Sequence, residues 1–246
     1  MIEWNVATLK AREMIADDVM SLTFELDKNQ IFKSGQHMDI RLTASDGYQA
    51  ERSYSIANAP ENSQGGKLIE LGVQLLENGE VSPYLYKMAI GKQIEMRGPI
   101  GRHFVWDISM QAPLILIGGG SGMVPLMSML RHYVLNKEKD TSRKIIFLIS
   151  ARTLEHVLYK KELDEIAKLN PNIKIIEAIT EKQPEGWTGY SRRIDKKILG
   201  ETISSVLVES PNTFICGPNP FVAAVTKHML SLGFPPGIIK TERFGG

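Results

Sequence analysis

Apolar and polar residues alternate through much of the first hundred residues, which is the periodicity of a β-strand with one buried face. The clearest case runs from Met20 to Leu26, and the segments around Met38 and Ile94 repeat it. Further extended segments are Trp4–Leu9, Arg52–Ile56 and Leu68–Leu76. Several half-buried strands joined by glycine- and asparagine-containing turns predict an antiparallel β-barrel or sandwich. A short helix, roughly Ser82 to Ala89, interrupts the strands.

From Leu114 onwards the pattern changes to short, wholly apolar runs that alternate with segments of helical period. The apolar runs are Leu114–Ile117, Ile145–Ile149, Ile173–Ile179 and Thr213–Cys216. The helical patterns run through Leu126 to Tyr133, Leu158 to Ala167, and Val222 to Leu232. Apolar strands separated by amphipathic helices predict an α/β domain with a parallel sheet covered on both faces. We therefore expect two domains, 1–110 and 111–246.

The composition is that of an ordinary globular protein, with 43% apolar and 23% charged residues among 246. The net charge of +1 gives no field of one sign, so nucleic acid is not an expected partner. Cys216 is the single cysteine, which excludes an intramolecular disulfide and an iron–sulfur cluster held by this chain alone. The five histidines are scattered, and no metal site is predicted. With neither a signal-peptide pattern nor a bilayer-length apolar run, we expect a cytoplasmic protein without membrane insertion.

A glycine-rich turn from Gly118 to Pro125 lies between an apolar run and a helical pattern. Glycines let the backbone approach a diphosphate, and a helix start offers free N–H groups, although a tight turn without a ligand fits the same residues. Pro125 stands where the common dinucleotide fingerprint has glycine or alanine. The next strand ends in Ser150-Ala151-Arg152 instead of an acid. Arg152 could bind the 2′-phosphate of NADPH, stack on adenine or lie in solvent. The sequence therefore does not distinguish NADH from NADPH.

A second motif, Arg52-Ser53-Tyr54-Ser55, lies in an expected strand of the first half. Alternation places Arg52 and Tyr54 on one face and the two serines on the other. Arginine suits a phosphate, tyrosine offers a flat ring to an aromatic cofactor, and a serine hydroxyl can bond to a ring nitrogen. Taken alone, the tetrapeptide fits an exposed strand with one salt bridge equally well.

A third motif, Cys216-Gly217-Pro218, ends an apolar strand and precedes a helical pattern. This position is the carboxyl edge of the expected parallel sheet, where ligands bind in open α/β folds. From the residue type alone, a small buried core residue is the simpler interpretation of Cys216.

In their order and spacing, these motifs resemble the ferredoxin–NADP reductase superfamily, in which a flavin-binding barrel precedes a nicotinamide-nucleotide-binding domain. The matching segments are Arg52–Ser55, Gly79–Leu85, Gly118–Pro125, Cys216–Pro218 and Thr241–Gly246. The resemblance implies a flavoprotein that transfers a hydride from NADH or NADPH to FAD. It would then pass electrons to an acceptor such as ferredoxin, flavodoxin or an oxygenase component. Phenylalanine followed by two glycines at the end is more similar to bacterial oxygenase reductases and flavohaemoproteins than to plant-type members.

The resemblance also implies which residues form the site. Arg52 would contact the flavin pyrophosphate, Tyr54 would pack on the ring or ribityl chain, and Ser55 would bond near the flavin N5 atom. The other implied flavin contacts are Ser53, Val73, Gly79, Val81 and Ser82. The implied nucleotide contacts are Gly119, Gly120, Ser121, Gly122, Pro125, Ser150, Arg152, Cys216, Gly217 and Pro218, with Phe244 where nicotinamide enters. Ser55, Cys216 and Glu242 are the implied catalytic residues.

Three other functions stay open from the sequence. The first is a free-flavin or quinone reductase that needs no protein partner. The second is an electron-transfer component of a larger complex, although such components in this superfamily usually carry a cysteine cluster and this chain has one cysteine. The third is a nucleotide-sensing or structural domain without redox turnover, against which the Arg52–Ser55 motif argues.

Overall fold

The computed structural model describes residues 2–244, which leaves Gly245 and Gly246 of the terminal motif outside the described residues. The first sheet has six strands: β1 (Trp4–Ala16), β2 (Val19–Leu26), β3 (His37–Thr43), β4 (Gln49–Ser55), β5 (Leu68–Gln74) and β6 (Gln93–Ile100). Their order is β4-β3-β6-β1-β2-β5, and every neighbouring pair is antiparallel. An antiparallel bridge between Ile56 and Leu71 joins the two outer strands. The sheet therefore closes into the expected antiparallel barrel.

Alternate residues of these strands fill the barrel interior. Leu22, Phe24 and Leu26 of β2 are buried, as are Met38 and Ile40 of β3. Burial of such side chains stabilises the folded state by about 1.5–3 kcal/mol each. The short helix α1 (Ser82–Lys87) adds Leu85 to this core and has proline in its first turn. The helix ends two residues before the expected Ala89.

The first strand is longer than its hydrophobic pattern indicates. We expected Trp4–Leu9, whereas β1 continues to Ala16 with register irregularities after Leu9 and Met14. Its second half is mostly exposed and lacks the apolar alternation. Backbone pairing with β2 therefore holds a segment that side-chain burial does not mark.

The second sheet is parallel and comprises β7 (Leu114–Gly119), β8 (Ile145–Ala151), β9 (Ile173–Ile179), β10 (Asn212–Pro218) and β11 (Ile239–Phe244). The helices are α2 (Met123–Asn136), α3 (Lys160–Leu169), α4 (Lys196–Ile203) and α5 (Asn219–Ser231). The strand order is β11-β10-β7-β8-β9, so the chain moves outward from β7 in one direction and then in the other. This is the α/β parallel-sheet domain expected from the apolar runs.

Contacts divide the chain into two compact units. The first comprises residues up to Asp107 together with Met127–Leu135, and the second comprises Ile108–Leu126 and the residues from Asn136 onwards. The division falls close to residue 110, but the middle of α2 belongs by its contacts to the first unit. There Ser128 donates to the carbonyl of Asn58 at 2.8 Å.

Two elements of the second unit have no counterpart in the sequence expectations. Helix α4 begins after Asp195, whose carboxylate accepts the N–H of Ile198 at 2.8 Å, a usual N-terminal cap. Strand β11 lies at the edge of the sheet, where its alternating exposed and half-buried residues give no apolar run. Leu158 was expected within the second helical pattern, but it lies before the first residue of α3.

A buried arginine holds the first residues of the second unit, before β7, in place. The Arg143 side chain is 1% exposed and pairs with Asp140 at 2.8 Å. It also donates to the carbonyl of Ile108 at 3.0 Å and to the carbonyl of Met110. A buried guanidinium requires such a full set of acceptors, so this arginine holds the segment before β7 in place.

Candidate functional site

Strand β4 ends at Ser55, whose side-chain hydroxyl group is buried. Ser55 pairs with His37 across the sheet, and its Oγ atom has no hydrogen-bond partner among residues 2–244. A buried polar atom without a partner costs free energy unless a ligand or water satisfies it. A hydroxyl that can donate or accept fits the polar edge of an isoalloxazine ring.

Tyr54 precedes this serine and packs against the barrel core with its ring half-buried. Burial raises the pKa of its hydroxyl to about 12, while the positive charge of Arg52 acts in the opposite direction. The phenol therefore stays neutral at physiological pH. A neutral, fixed aromatic ring is suited to lie against another aromatic ring.

Arg52, on the same face of β4 as Tyr54, is paired with a residue that sequence reasoning did not identify. Its Nη2 atom lies 2.6 Å from Oε2 of Glu80, and Nη1 donates to the carbonyl of Glu51 at 2.7 Å. The hydroxyl of Tyr48 donates to the other oxygen of Glu80 at 2.5 Å. Arg52 and Tyr48 lie 28 and 32 residues before Glu80 in the sequence, and no local pattern links them to it.

The turn from Gly79 to Ser82 is held by its own hydrogen bonds. Ser82 is 4% exposed, and its Oγ accepts the N–H of Leu76 at 3.0 Å. A Cβ atom at Gly79 would lie 3.0 Å from the carbonyl oxygen of Leu76. The hydroxyl that the resemblance assigns to a pyrophosphate therefore closes this turn, which leaves backbone groups as the donors that the turn can offer.

Three other residues that the resemblance assigns to flavin have side chains engaged elsewhere. Val73 and Val81 lie in the barrel core with 0% and 1% exposure. Ser53 donates to Asp39 at 2.6 Å on the outer face of the sheet. For the two valines only backbone atoms can contact a cofactor, and the hydroxyl of Ser53 already has an acceptor.

In the second unit, the glycine-rich turn lies directly against the turn after β10. A Cβ atom at Gly122 would be 2.4 Å from the carbonyl carbon and oxygen of Cys216. A Cβ atom at Gly217, whose φ is +152°, would be 2.9 Å from the carbonyl oxygen of Gly119. Gly120 has a φ of +56°, which favours glycine. The two turns therefore pack backbone against backbone, and a side chain at Gly122 or Gly217 would push them apart.

Helix α2 begins immediately after this turn, with Pro125 as its third residue and buried. Gly119 packs against the ring of Phe221, and Ser121 is partly exposed at the helix start. Free N–H groups at the start of a helix of 14 residues suit a diphosphate. Proline fits here because its missing N–H lies in the first turn, where no helical acceptor precedes it.

Cys216 and Glu242 are neighbours across the carboxyl edge of the parallel sheet. Cys216 pairs with Gly118 of β7 on one side and with Glu242 of β11 on the other. Burial, and then the nearby carboxylate of Glu242, raises the pKa of the Cys216 thiol well above its usual range. Burial alone raises the pKa of Glu242 to about 7. A neutral thiol and a carboxyl group that titrates near neutral pH therefore lie side by side.

The remaining expected nucleotide residues lie along the same sheet edge. Pro218 pairs with Phe244 at the ends of β10 and β11. Ser150 pairs with Gly119 near the end of β8, and Arg152 follows that strand in an exposed position. Within residues 2–244, the Arg152 guanidinium has no hydrogen-bond or ion-pair partner. The structure thus brings the glycine turn, Cys216, Glu242 and Phe244 to one edge of one sheet.

Comparisons with known proteins agree with the two halves of the chain. Residues 6–105 match the family model of the oxidoreductase FAD-binding domain. Residues 116–227 match that of the oxidoreductase NAD-binding domain. The two models follow one another in the order barrel, then parallel sheet, and together they span most of the chain.

Two curated relatives illustrate the range of similar proteins. NADH-cytochrome b5 reductase 1 of Cryptococcus neoformans is 27% identical over 244 residues, which is 95% of this chain and 80% of the relative. One component of the Na(+)-translocating NADH-quinone reductase of Methylococcus capsulatus is 30% identical over 209 residues. That match covers 80% of this chain but 50% of the relative, so this chain spans about half the length of that component.

Solved structures share the fold over nearly the whole chain. The FAD/NAD-binding domain of nitric oxide dioxygenase from Vibrio cholerae superposes with a TM-score of 0.82 at 18% identity, covering 98% of this chain and 99% of that chain. A cytochrome P450 reductase from Amycolatopsis has a TM-score of 0.83 at 24% identity, covering 99% of this chain and 70% of that chain.

Among residues 2–244, no helix has both the length and the apolar character needed to cross a bilayer.

The buried hydroxyl of Ser55, which has no partner among residues 2–244, suits FAD, and the glycine-rich turn at the start of α2 suits a nicotinamide nucleotide. The two family models match the units that carry these features, in the same order. The chain therefore belongs to the ferredoxin–NADP reductase superfamily, as an oxidoreductase that binds FAD and a nicotinamide nucleotide.

Proposed function

We propose that this protein is a reductase that oxidises NADH or NADPH and delivers electrons one at a time to a separate carrier protein or oxygenase component. Its two domains would be residues 1–110 and 111–246. The observation that carries the proposal is the buried hydroxyl of Ser55, which has no hydrogen-bond partner among residues 2–244 and follows the neutral ring of Tyr54 in the sequence. Bound FAD would supply the chemistry of accepting a hydride and releasing single electrons.

In the first domain, β4 supplies the groups that hold and orient the flavin. The Ser55 hydroxyl donates to the polar edge of the ring, which fixes its orientation and satisfies the buried oxygen. The Tyr54 ring packs against the flavin. The Arg52 guanidinium binds a phosphate oxygen, for which its planar fork is suited.

In the second domain, the close packing of the two turns at Gly122 and Gly217 fixes the start of α2, whose free N–H groups bind the nucleotide diphosphate. Cys216 and Glu242 then shape the pocket for the nicotinamide ring. Their neutral forms keep full negative charge away from that ring, and the carboxyl group of Glu242 can donate or accept a proton near pH 7. Phe244, two residues further along β11, limits access to the same place.

The identity of the electron donor depends on the end of β8. Arg152 is exposed and free of protein acceptors among the described residues, so it can bind a 2′-phosphate. The relatives include reductases named for NADH. We therefore propose that both nucleotides reduce the protein and that Arg152 determines the ratio of their KM values.

A carrier protein as acceptor is supported by the names of the relatives, which include cytochrome b5 and cytochrome P450 reductases. The 246 residues contain one cysteine, so an iron–sulfur cluster that relays single electrons would need cysteines from outside this sequence.

The function is tested by stopped-flow reduction of the FAD-loaded protein with NADH and NADPH in parallel. We expect the flavin absorbance to bleach rapidly with at least one donor, and a protein that retains FAD without bleaching would contradict the proposal. Ser55→Ala should slow the bleaching by about 10- to 100-fold, because one hydrogen bond to the reacting ring is lost.

The affinity of Ser55→Ala for FAD should change by less than about threefold, since most contacts that hold the cofactor are unaltered. Ser45→Ala is a matched control, because Ser45 lies exposed in the turn between β3 and β4. If the two serine variants bleach at the same rate, Ser55 does not have the assigned role.

A further inference from the structure

The arginine assigned to the flavin diphosphate already has an anionic partner from its own chain. Arg52 Nη2 and Glu80 Oε2 lie 2.6 Å apart, with 52% and 44% of the two side chains exposed. The other carboxylate oxygen of Glu80 accepts the hydroxyl of Tyr48 at 2.5 Å. Both oxygens of Glu80 are therefore engaged, and Tyr48 holds the carboxylate against the guanidinium.

A carboxylate and a phosphate use the same donors of an arginine. Both ligands accept from the planar fork of the guanidinium, and Arg52 has already committed Nη1 to the carbonyl of Glu51 at 2.7 Å. Glu80 occupies Nη2, the other terminal nitrogen of the guanidinium. A phosphate that approaches the Nη1–Nη2 edge of the guanidinium therefore competes with this carboxylate for that edge.

Glu80 carries a full negative charge at neutral pH. The hydrogen bond from Tyr48 is the largest cause that lowers the pKa of its carboxyl group; burial opposes it, and the hydrogen bond and charge of Arg52 lower the pKa further. A carboxylate that remained beside a bound diphosphate would repel it, because like charges in close contact disfavour association. FAD binding therefore favours displacement of Glu80, which costs the ion pair between Glu80 and Arg52.

We propose that Glu80 is a built-in competitor of the flavin diphosphate for Arg52, held in position by Tyr48, which weakens FAD binding and makes the cofactor exchangeable. This inference rests on the proposed function, in which Arg52 binds the diphosphate. FAD binding exchanges one ion pair of Arg52 for another, and Glu80 turns toward solvent.

The test is the dissociation constant of FAD, measured by adding FAD to flavin-free protein and following the quenching of flavin fluorescence. Glu80→Gln keeps the shape of the side chain and an acceptor for Tyr48 but removes the charge. It should bind FAD about threefold to tenfold more tightly than the wild type. Glu51→Gln is the matched control, because Glu51 is similarly exposed on β4 and faces Arg97 at 3.5 Å.

The salt dependence of this affinity separates competition from a general change in structure. In the wild type, binding replaces one ion pair of Arg52 by another, so added salt should weaken it little. In Glu80→Gln, binding creates an ion pair where none existed, and affinity should fall more steeply between about 0.05 and 0.5 M salt. Parallel salt curves for the two proteins would overturn the inference.

Arg52→Gln shows whether a failure belongs to the inference or to the proposed function. If Arg52→Gln weakens FAD binding while Glu80→Gln leaves it unchanged or weaker, Glu80 is not a competitor, and the assignment of Arg52 stands. If Arg52→Gln leaves FAD binding unchanged, the assignment of Arg52 is wrong and the inference falls with it. Melting temperatures of the flavin-free variants verify that each one is folded.

Discussion

The titration of Glu242 allows a direct test of the electrostatics at the sheet edge. Burial raises the pKa of this carboxyl group from 4.5 to about 7. Between these two values the folded state binds more protons than the unfolded state, so stability falls as pH rises through this window. Each unit of pKa difference corresponds to about 1.4 kcal/mol, so ionisation of Glu242 costs the fold at most about 3 kcal/mol above pH 8.

Glu242→Gln removes this titration while keeping a side chain of similar shape. At pH 5 the wild-type carboxyl group is protonated in the folded state, and the two proteins should differ little in their pH-dependent stability. From pH 5.5 to 8.5 the free energy of unfolding of the variant should rise relative to that of the wild type by up to about 2 kcal/mol, because part of the window between the two pKa values lies below pH 5.5. Because the side chain is only partly buried, we treat this figure as an upper limit.

The assay is urea unfolding followed by circular dichroism at four pH values across this window. Subtracting the variant from the wild type cancels the titration of all other groups. Glu185→Gln, at an exposed position of the same unit, serves as the control and should give a difference that does not change with pH. A flat difference for Glu242→Gln as well would refute a buried carboxyl group with a raised pKa.

Other predictions concern glycine packing, a buried ion pair and the choice between NADH and NADPH. Gly122→Ala should lower the stability of the second unit by about 1–3 kcal/mol and abolish tight nucleotide binding, whereas Gly237→Ala, where a Cβ atom meets nothing within 4 Å, should be nearly neutral in thermal melting. Arg143→Met should cost about 3–5 kcal/mol, but Arg192→Met, in an exposed pair, less than about 1 kcal/mol by urea unfolding. Arg152→Ala should raise the steady-state KM for NADPH about tenfold and leave that for NADH unchanged, and equal effects on both would contradict its role.

Much of the architecture was predictable because burial imposes a period on the sequence. Strand β2 alternates clearly since one face fills the barrel, and β7 and β8 are wholly apolar since both faces are covered. Strand β11 was not predicted, because its position at the sheet edge leaves alternate residues exposed. The exposed half of β1 was missed for the same reason, since hairpin pairing rather than burial stabilises it.

The site was only partly predictable. The motifs around Ser55, Gly122 and Cys216 indicated which residues to examine, since glycine turns and strand ends are local features. The pairing of Arg52 with Glu80 joins residues that are distant in sequence, and only the closed barrel brings them together. The raised pKa of Glu242 likewise depends on neighbours across the sheet, which no local pattern reveals.

Because Cys216 is buried, the rate at which its thiol reacts can be used to measure local opening of the protein. Its thiol is 0% exposed and is held protonated, so alkylating reagents, which attack thiolates, should react very slowly with the folded protein. As the chain has one cysteine, any labelling comes from this position. The labelling rate therefore measures how often the edge of β10 opens, and a bound nucleotide should suppress it in proportion to its affinity for the closed form.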